Sequence, residues 1–136
     1  MIKQLCDGIY KFYNDSALIK AALTGGLYFT QAPQDVTSPY CVYYFIGSKP
    51  DEFMGGKNDK IEKAEIQFNF FNTKIDGGVE LANVVHTFEQ GFNQQILSIS
   101  DYNCLHCGQT LSMPFEFIND TWQMVLSYEI WLQYKF

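Results

Sequence analysis

Cys104-Leu105-His106-Cys107 is the stretch whose residue types and spacing come nearest to chemistry. Two thiols three positions apart with an imidazole between them suit either half of a zinc site or a redox dithiol. A structural zinc site takes four ligands, usually from two such pairs. Here there is one pair, and the other cysteines, Cys6 and Cys41, stand singly in a predicted helix and a predicted strand. A redox C-x-x-C belongs at a helix N-terminus that follows a strand, where the thiolate is stabilised. Residues 102–107 instead read as a strand, on which positions three apart point to opposite faces. The pair is therefore expected to be structural. Cys104, His106 and Cys107 remain the residues on which any metal would have to bind. Four scattered cysteines do not make a disulfide framework.

Other candidates are weaker. His86 falls on the polar side of a predicted helix. Gly25-Gly26, Gly55-Gly56 and Gly77-Gly78 lack the spacing of a dinucleotide or phosphate loop and read as turns. The acids Asp51, Glu52 and Asp120 lie in predicted loops, with nothing nearby to bury them and raise a pKa. No serine or cysteine sits in a nucleophile motif. The expectation is a protein that is not an enzyme and needs no cofactor.

The elements that would position these residues follow from periodicity. In residues 122–136, Trp122, Met124, Leu126, Tyr128, Ile130, Leu132, Tyr134 and Phe136 alternate with mostly polar residues. Such alternation makes one very long strand, or two in line, spanning roughly 50 Å at 3.3 Å per residue. Its even face is expected to form the core, and Val125 and Trp131 fall on the other. Ile2, Leu5, Cys6, Ile9, Phe12 and Tyr13 recur at helical spacing, although Gly8 costs that helix about 1 kcal/mol. Asp15 or Ser16 caps a second short helix, which Gly25-Gly26 stops. Leu81, Val84, Val85, Phe88 and Phe92 mark a third helix.

Residues 27–30 form a short strand. Residues 40–46 are apolar on both parities, as in a strand buried on both sides. Residues 47–59 read as a polar loop, longer than a compact hairpin needs. After it Ala64, Ile66, Phe68 and Phe70 alternate as a half-buried strand, antiparallel to 40–46. Further strand sequence lies within 96–109, and Pro114 and Asn119-Asp120 bracket a short apolar segment. Together these predict one α+β domain over 1–136: a mainly antiparallel sheet of four or five strands with helices packed on one face.

Composition narrows the partners. The chain has twelve Phe, nine Tyr and two Trp, more aromatic surface than its core requires, so some faces a partner. Every cation is a lysine, and from residue 75 to 134 there are seven acids and no lysine. Such a surface repels nucleic acid, and the residue that reads guanine and clamps phosphate is missing. No run approaches the length of a membrane span, and Met1 leads straight into an amphipathic pattern, which predicts a chain made in the cytosol without a leader. The loop residues Asp51, Glu52, Phe53, Met54 and Lys57, with Val125 and Trp131 on the long strand, are the candidate contacts to another protein.

One set of residues resembles a known family. Leu23-Thr24-Gly25-Gly26-Leu27-Tyr28, Gln31-Ala32-Pro33 and Ser38-Pro39-Tyr40-Cys41-Val42-Tyr43 come first. Glu65-Ile66-Gln67-Phe68-Asn69-Phe70-Phe71, the helix beginning Leu81-Ala82 and the aromatic final strand follow in order. This succession is similar to that of the tail completion, or tail terminator, proteins of long-tailed bacteriophages, over most of the chain. The resemblance implies a non-catalytic, cofactor-free virion subunit of the tail or neck, made in the bacterial host cytoplasm. It implies self-assembly, typically into a six-membered ring, at the head-proximal end of the tail tube. The ring would end tube growth, contact the tube protein and the head connector or adaptor, and leave a lumen through which DNA passes without specific binding; no membrane is involved. Neck adaptors share this plan, and a small α+β binding module is the alternative. His106 and its flanking cysteines belong to no pattern of the family.

Overall fold

The computed structural model describes residues 1–52, 60–76, 78–113 and 116–135. In chain order they form α1 (Ile2–Asp15), α2 (Ala17–Ala22), β1 (Gly26–Phe29), β2 (Tyr40–Glu52), β3 (Lys60–Asn72), α3 (Val79–Phe92), β4 (Tyr102–Ser112), β5 (Glu116–Ile118) and β6 (Thr121–Tyr134). The sheet runs β1-β2-β3-β6-β4, with β5 paired to β6. All pairings are antiparallel except β1 with β2. This is the expected α+β class, with the sheet extended to six strands.

The final strand is single and 14 residues long. Its side-chain alternation works as the periodicity predicts at the centre: Leu126, Tyr128, Ile130 and Leu132 are all 0% exposed. The ends depart from it, because Trp122 and Met124 pack against the margin of the core and Tyr134 is half exposed. Opposite these residues on β3, Ala64, Ile66, Phe68 and Phe70 are buried in the same layer. α3 supplies Phe88 and Phe92, and with Phe68 and Tyr128 they form an aromatic knot with ring centroids 4.8–6.2 Å apart. Each such ring contributes about 1.5–3 kcal/mol by burial, with edge-to-face contacts adding about 0.5–1.5 kcal/mol per pair.

Local rules place the helices. The Ser16 hydroxyl accepts from the Ile19 amide at 3.4 Å and starts α2. Asp76 accepts from the amides of Gly78 and Glu80 at 3.1 and 3.0 Å, and so satisfies the first turn of α3. Gly8, a poor helix residue, has a packing role: a Cβ there would lie 2.8 Å from Ile99 Cγ1 and 2.9 Å from the Ser98 carbonyl oxygen. α1 therefore approaches the segment before β4 more closely than any other residue would allow.

The expected loop at residues 47–59 is corrected in its first part. β2 continues to Glu52, with Gly47 opposite Glu65, Lys49 opposite Lys63 and Glu52 opposite Lys60. Polar residues suggested a loop, but this is the end of a hairpin that no helix covers, so a strand there can be polar in sequence. Phe53, Met54 and Lys57 lie outside the described residues. Burial of β2 on both sides holds at Cys41, Val42 and Tyr43 and is corrected only for the residues after them. Cys41 and Tyr43 are buried beneath the helices, whereas on β2 beyond Val42 the other side is open and Ile46 is 52% exposed.

Candidate functional site

A β-bulge between Cys104 and His106 changes the geometry expected for the cysteine pair. Cys104 lies opposite Leu132 and Cys107 opposite Ile130, so both thiols point into the helix-covered core instead of to opposite faces. The extra residue, Leu105, absorbs the half-period. Burial pushes the Cys107 thiol up to about 12 and raises Cys104 as well. Cys107 Sγ faces the Phe92 carbonyl at 3.6 Å. Neither thiol is a thiolate nucleophile at neutral pH. His106 points the other way, onto the open face, with its ring 5.0 Å from that of Trp131. The residues the sequence grouped for metal binding are thus split between two faces of the sheet. No cluster of three metal-ligating side chains occurs among the described residues.

The face opposite the helices is the more informative surface. It is built from Tyr40, Val42, Tyr44 and Lys49 of β2, Ile61, Lys63, Glu65, Gln67, Asn69 and Phe71 of β3, and the odd positions of β6. At one end Tyr40 stacks on Phe71 with centroids 5.0 Å apart. There residues 30–36 fold alongside Tyr40, Val42 and Tyr44 and border an open cleft of about 360 Å³. In the middle Gln67 donates to Asn69 Oδ1 at 2.9 Å, and Ser127 is 3% exposed. At the other end the Lys63 ammonium stands 4.5 Å above the Trp131 ring, and the indole N–H donates to Glu129 Oε1 at 2.6 Å.

Of the predicted contact residues, Val125 and Trp131 both lie on this face and both are half-buried. The Val125 carbonyl also accepts from the Met113 amide at 2.9 Å. Asp51 and Glu52 close β2, opposite Ile61 and Lys60. The structure therefore brings Val125 and Trp131 to one surface, with the end of β2 in the same sheet. His106 joins them by the same bulge that removed it from the cysteines.

Sequence reasoning missed one row. Gly47, Glu65, Glu129 and Gly108 lie directly across β2, β3, β6 and β4. Two carboxylates face each other on the central strands, Glu129 engaged by the Trp131 indole N–H, with open space at Gly47 and the His106 ring covering Gly108. Alternation assigns Glu65 and Glu129 to polar faces, but only the β3–β6 register makes them neighbours. A second missed feature is an apolar margin at the end of β4 and along β5, where Leu111, Met113, Phe117 and Ile118 are 42–50% exposed.

No protein-family model and no curated protein matches the chain. Solved structures do. A chain from the virion of a native gene transfer agent particle superposes with a TM-score of 0.72, covering 93% of this chain and 92% of that one at 9% identity. A second solved protein, whose name says nothing of function, has a TM-score of 0.66 over 99% of this chain and 97% of its own, at 11% identity. At these identities the likeness establishes a shared fold, nearly end to end.

Proposed function

We propose that this chain is a structural protein of a phage-like virion, acting by assembly and without catalysis. It forms a ring, typically of six copies, at the head-proximal end of a tail tube, ends tube growth and joins the tail to the head connector. The observation that supports this reading most is the fold shared over almost the whole of both chains with a component of a gene transfer agent virion. The succession of motifs similar to tail terminators points the same way. A sheet with one helix-covered face and one wet, aromatic-bearing face suits a subunit that meets neighbours across flat surfaces. Seven acids and no lysine between residues 75 and 134 suit a lumen along which DNA slides without adhering.

The test is a tube-capping assay. Tail tube protein is polymerised with and without an equimolar amount of this chain, and tube lengths are measured by negative-stain electron microscopy. Capping shortens the tubes and places a ring-shaped density at one end. Unchanged lengths and bare ends would overturn the terminator role.

A further inference from the structure

The sheet ends in two strands whose residues lack the usual protection of an edge. β1 lies at one end and β4 at the other. An edge strand leaves a row of backbone N–H and C=O groups unpaired, and natural sheets blunt it with charged side chains, proline or a cover. β2 shows that protection. β1 accompanies it only from Tyr40 to Tyr43, and past that point β2 is itself an edge that carries Lys49, Pro50, Asp51 and Glu52. β1 and β4 carry no charged residue and no proline. The uncharged sequence runs on around them, over residues 21–34 and 102–113.

A cover accounts for part of β4 only. The Gln94 amide donates to the Cys107 carbonyl at 2.9 Å and Ile99 bridges to Tyr102, so residues 94–99 shield the first half of the strand. Residues 108–112 have β6 on one side and no described strand on the other. There Thr110 and Ser112 are exposed and Leu111 is 50% exposed. β1 is four residues long, pairs with β2 alone among the described strands, and ends at Phe29, which is 38% exposed. The two free runs are thus similar in length and equally neutral.

Strand direction fixes how they meet. β1 is parallel to β2, and three antiparallel steps lead from β2 through β3 and β6 to β4. Within one subunit β1 and β4 therefore run in opposite directions. Rotation about an axis along the strands brings β1 of one copy beside β4 of the next in antiparallel orientation. The bulge between Gln109 and Leu111 adds local twist, the means by which sheets are curved toward closure.

We propose that β1 of one copy pairs with residues 108–112 of β4 in the next, so that the sheet continues from subunit to subunit. Backbone hydrogen bonds supply the affinity, and neutral edges meet without burying an unpaired charge. The two edges are different surfaces at opposite ends of the sheet, so the contact is heterologous. It repeats head to tail and closes into a ring when the rotation between copies allows. This rests on the reading that the chain assembles with itself, and supplies the interface for it.

A lysine on either edge tests it. Phe29→Lys blocks the β1 edge and Leu111→Lys the β4 edge, with circular dichroism to verify folding. Tyr28→Lys or Thr110→Lys replaces a variant that fails to fold. In native mass spectrometry and analytical ultracentrifugation, each variant alone should self-associate about tenfold or more weakly than wild type, because every contact would bury an unpaired lysine. An equimolar mixture separates the two edges. The intact β4 edge of the first variant meets the intact β1 edge of the second, and both outer edges of that pair are blocked. The mixture should therefore give a one-to-one heterodimer and no ring. Folded single variants that assemble like wild type, or a mixture that stays monomeric, would overturn the edge pairing while leaving ring assembly intact. Homodimers of either variant would show a contact between like surfaces and overturn it as well. If wild type forms no oligomer, alone or on tail tubes, the assembly reading fails and the interface with it.

Discussion

Two glycines inside helices, Gly8 in α1 and Gly91 in α3, should respond differently to the same substitution. Replacing glycine by alanine in a helix interior is worth about 0.5–1 kcal/mol from backbone entropy and propensity. At Gly8 the new methyl would lie 2.9 Å from the Ser98 carbonyl oxygen and 2.8 Å from Ile99 Cγ1. The carbonyl belongs to backbone that also packs against the helix, so α1 must shift away. Overpacking of this kind costs about 1–3 kcal/mol, which outweighs the gain and leaves Gly8→Ala less stable by about 1 kcal/mol. At Gly91 the contact is Ile19 Cδ1 at 2.8 Å, the far end of a flexible side chain. A rotamer change there costs about 0.5–1.5 kcal/mol at most, so Gly91→Ala should stay within about 0.5 kcal/mol of wild type. Urea denaturation followed by tryptophan fluorescence measures both, and m-values unchanged from wild type license the comparison. A Gly8→Ala variant more stable than wild type would refute the claim that close packing on residues 98–99 sets this glycine.

Leu126 lies at the centre of β6 and is 0% exposed, so Leu126→Asp buries a charge with no partner and should abolish cooperative folding; a native-like thermal transition would disprove the assignment of the even face to the core. Burial raises the Cys107 thiol to about 12 and pushes up the Cys41 thiol and the Tyr43 and Tyr128 phenols. In the unfolded chain thiols and phenols ionise at ordinary values of about 8.5 and 10, so the unfolded state loses these protons first. The stability these groups support is complete below about pH 8.5 and declines as pH rises toward 12. Urea midpoints should be flat from about pH 7 to 8 and fall steadily above about pH 9; a midpoint that rises there contradicts the buried placement.

The parts of the fold that could be read from sequence are those governed by one strand or one helix at a time. Leu126, Tyr128, Ile130 and Leu132 needed only a period of two, and Leu81, Val84, Val85, Phe88 and Phe92 only a period of 3.6; both sets are buried. What could not be read depends on pairing between distant segments. β6 lies between β3 and β4, an order no local pattern encodes. The bulge at Leu105 turns both cysteines inward and His106 outward, because one inserted residue reverses the parity of everything after it. The extension of β2 to Glu52 was hidden because a strand with no helix over it carries the same polar residues as a loop.

The candidate site was harder to see than the core for the same physical reason. A core strand announces itself by hydrophobic alternation, whereas a surface for assembly on a wet sheet face is spelled in ordinary polar residues. Glu65 and Glu129 are 64 positions apart (129 − 65), and each alone is an unremarked surface acid. Their register makes them an opposed pair of like charge between two glycines, and that local conflict is what marks the row. Glycine at 47 and 108 is informative for a related reason. Neither has the positive φ that would require it, and an L-residue at Gly47 would find open space. Gly108 is instead buried under the His106 ring, which a Cβ would strike, so the two glycines answer different demands. Glu65→Gln, which leaves the bond from the Trp131 N–H to Glu129 in place, should raise the urea midpoint by a few tenths of a molar at low salt, and a lowered midpoint would show that the two acids do not repel.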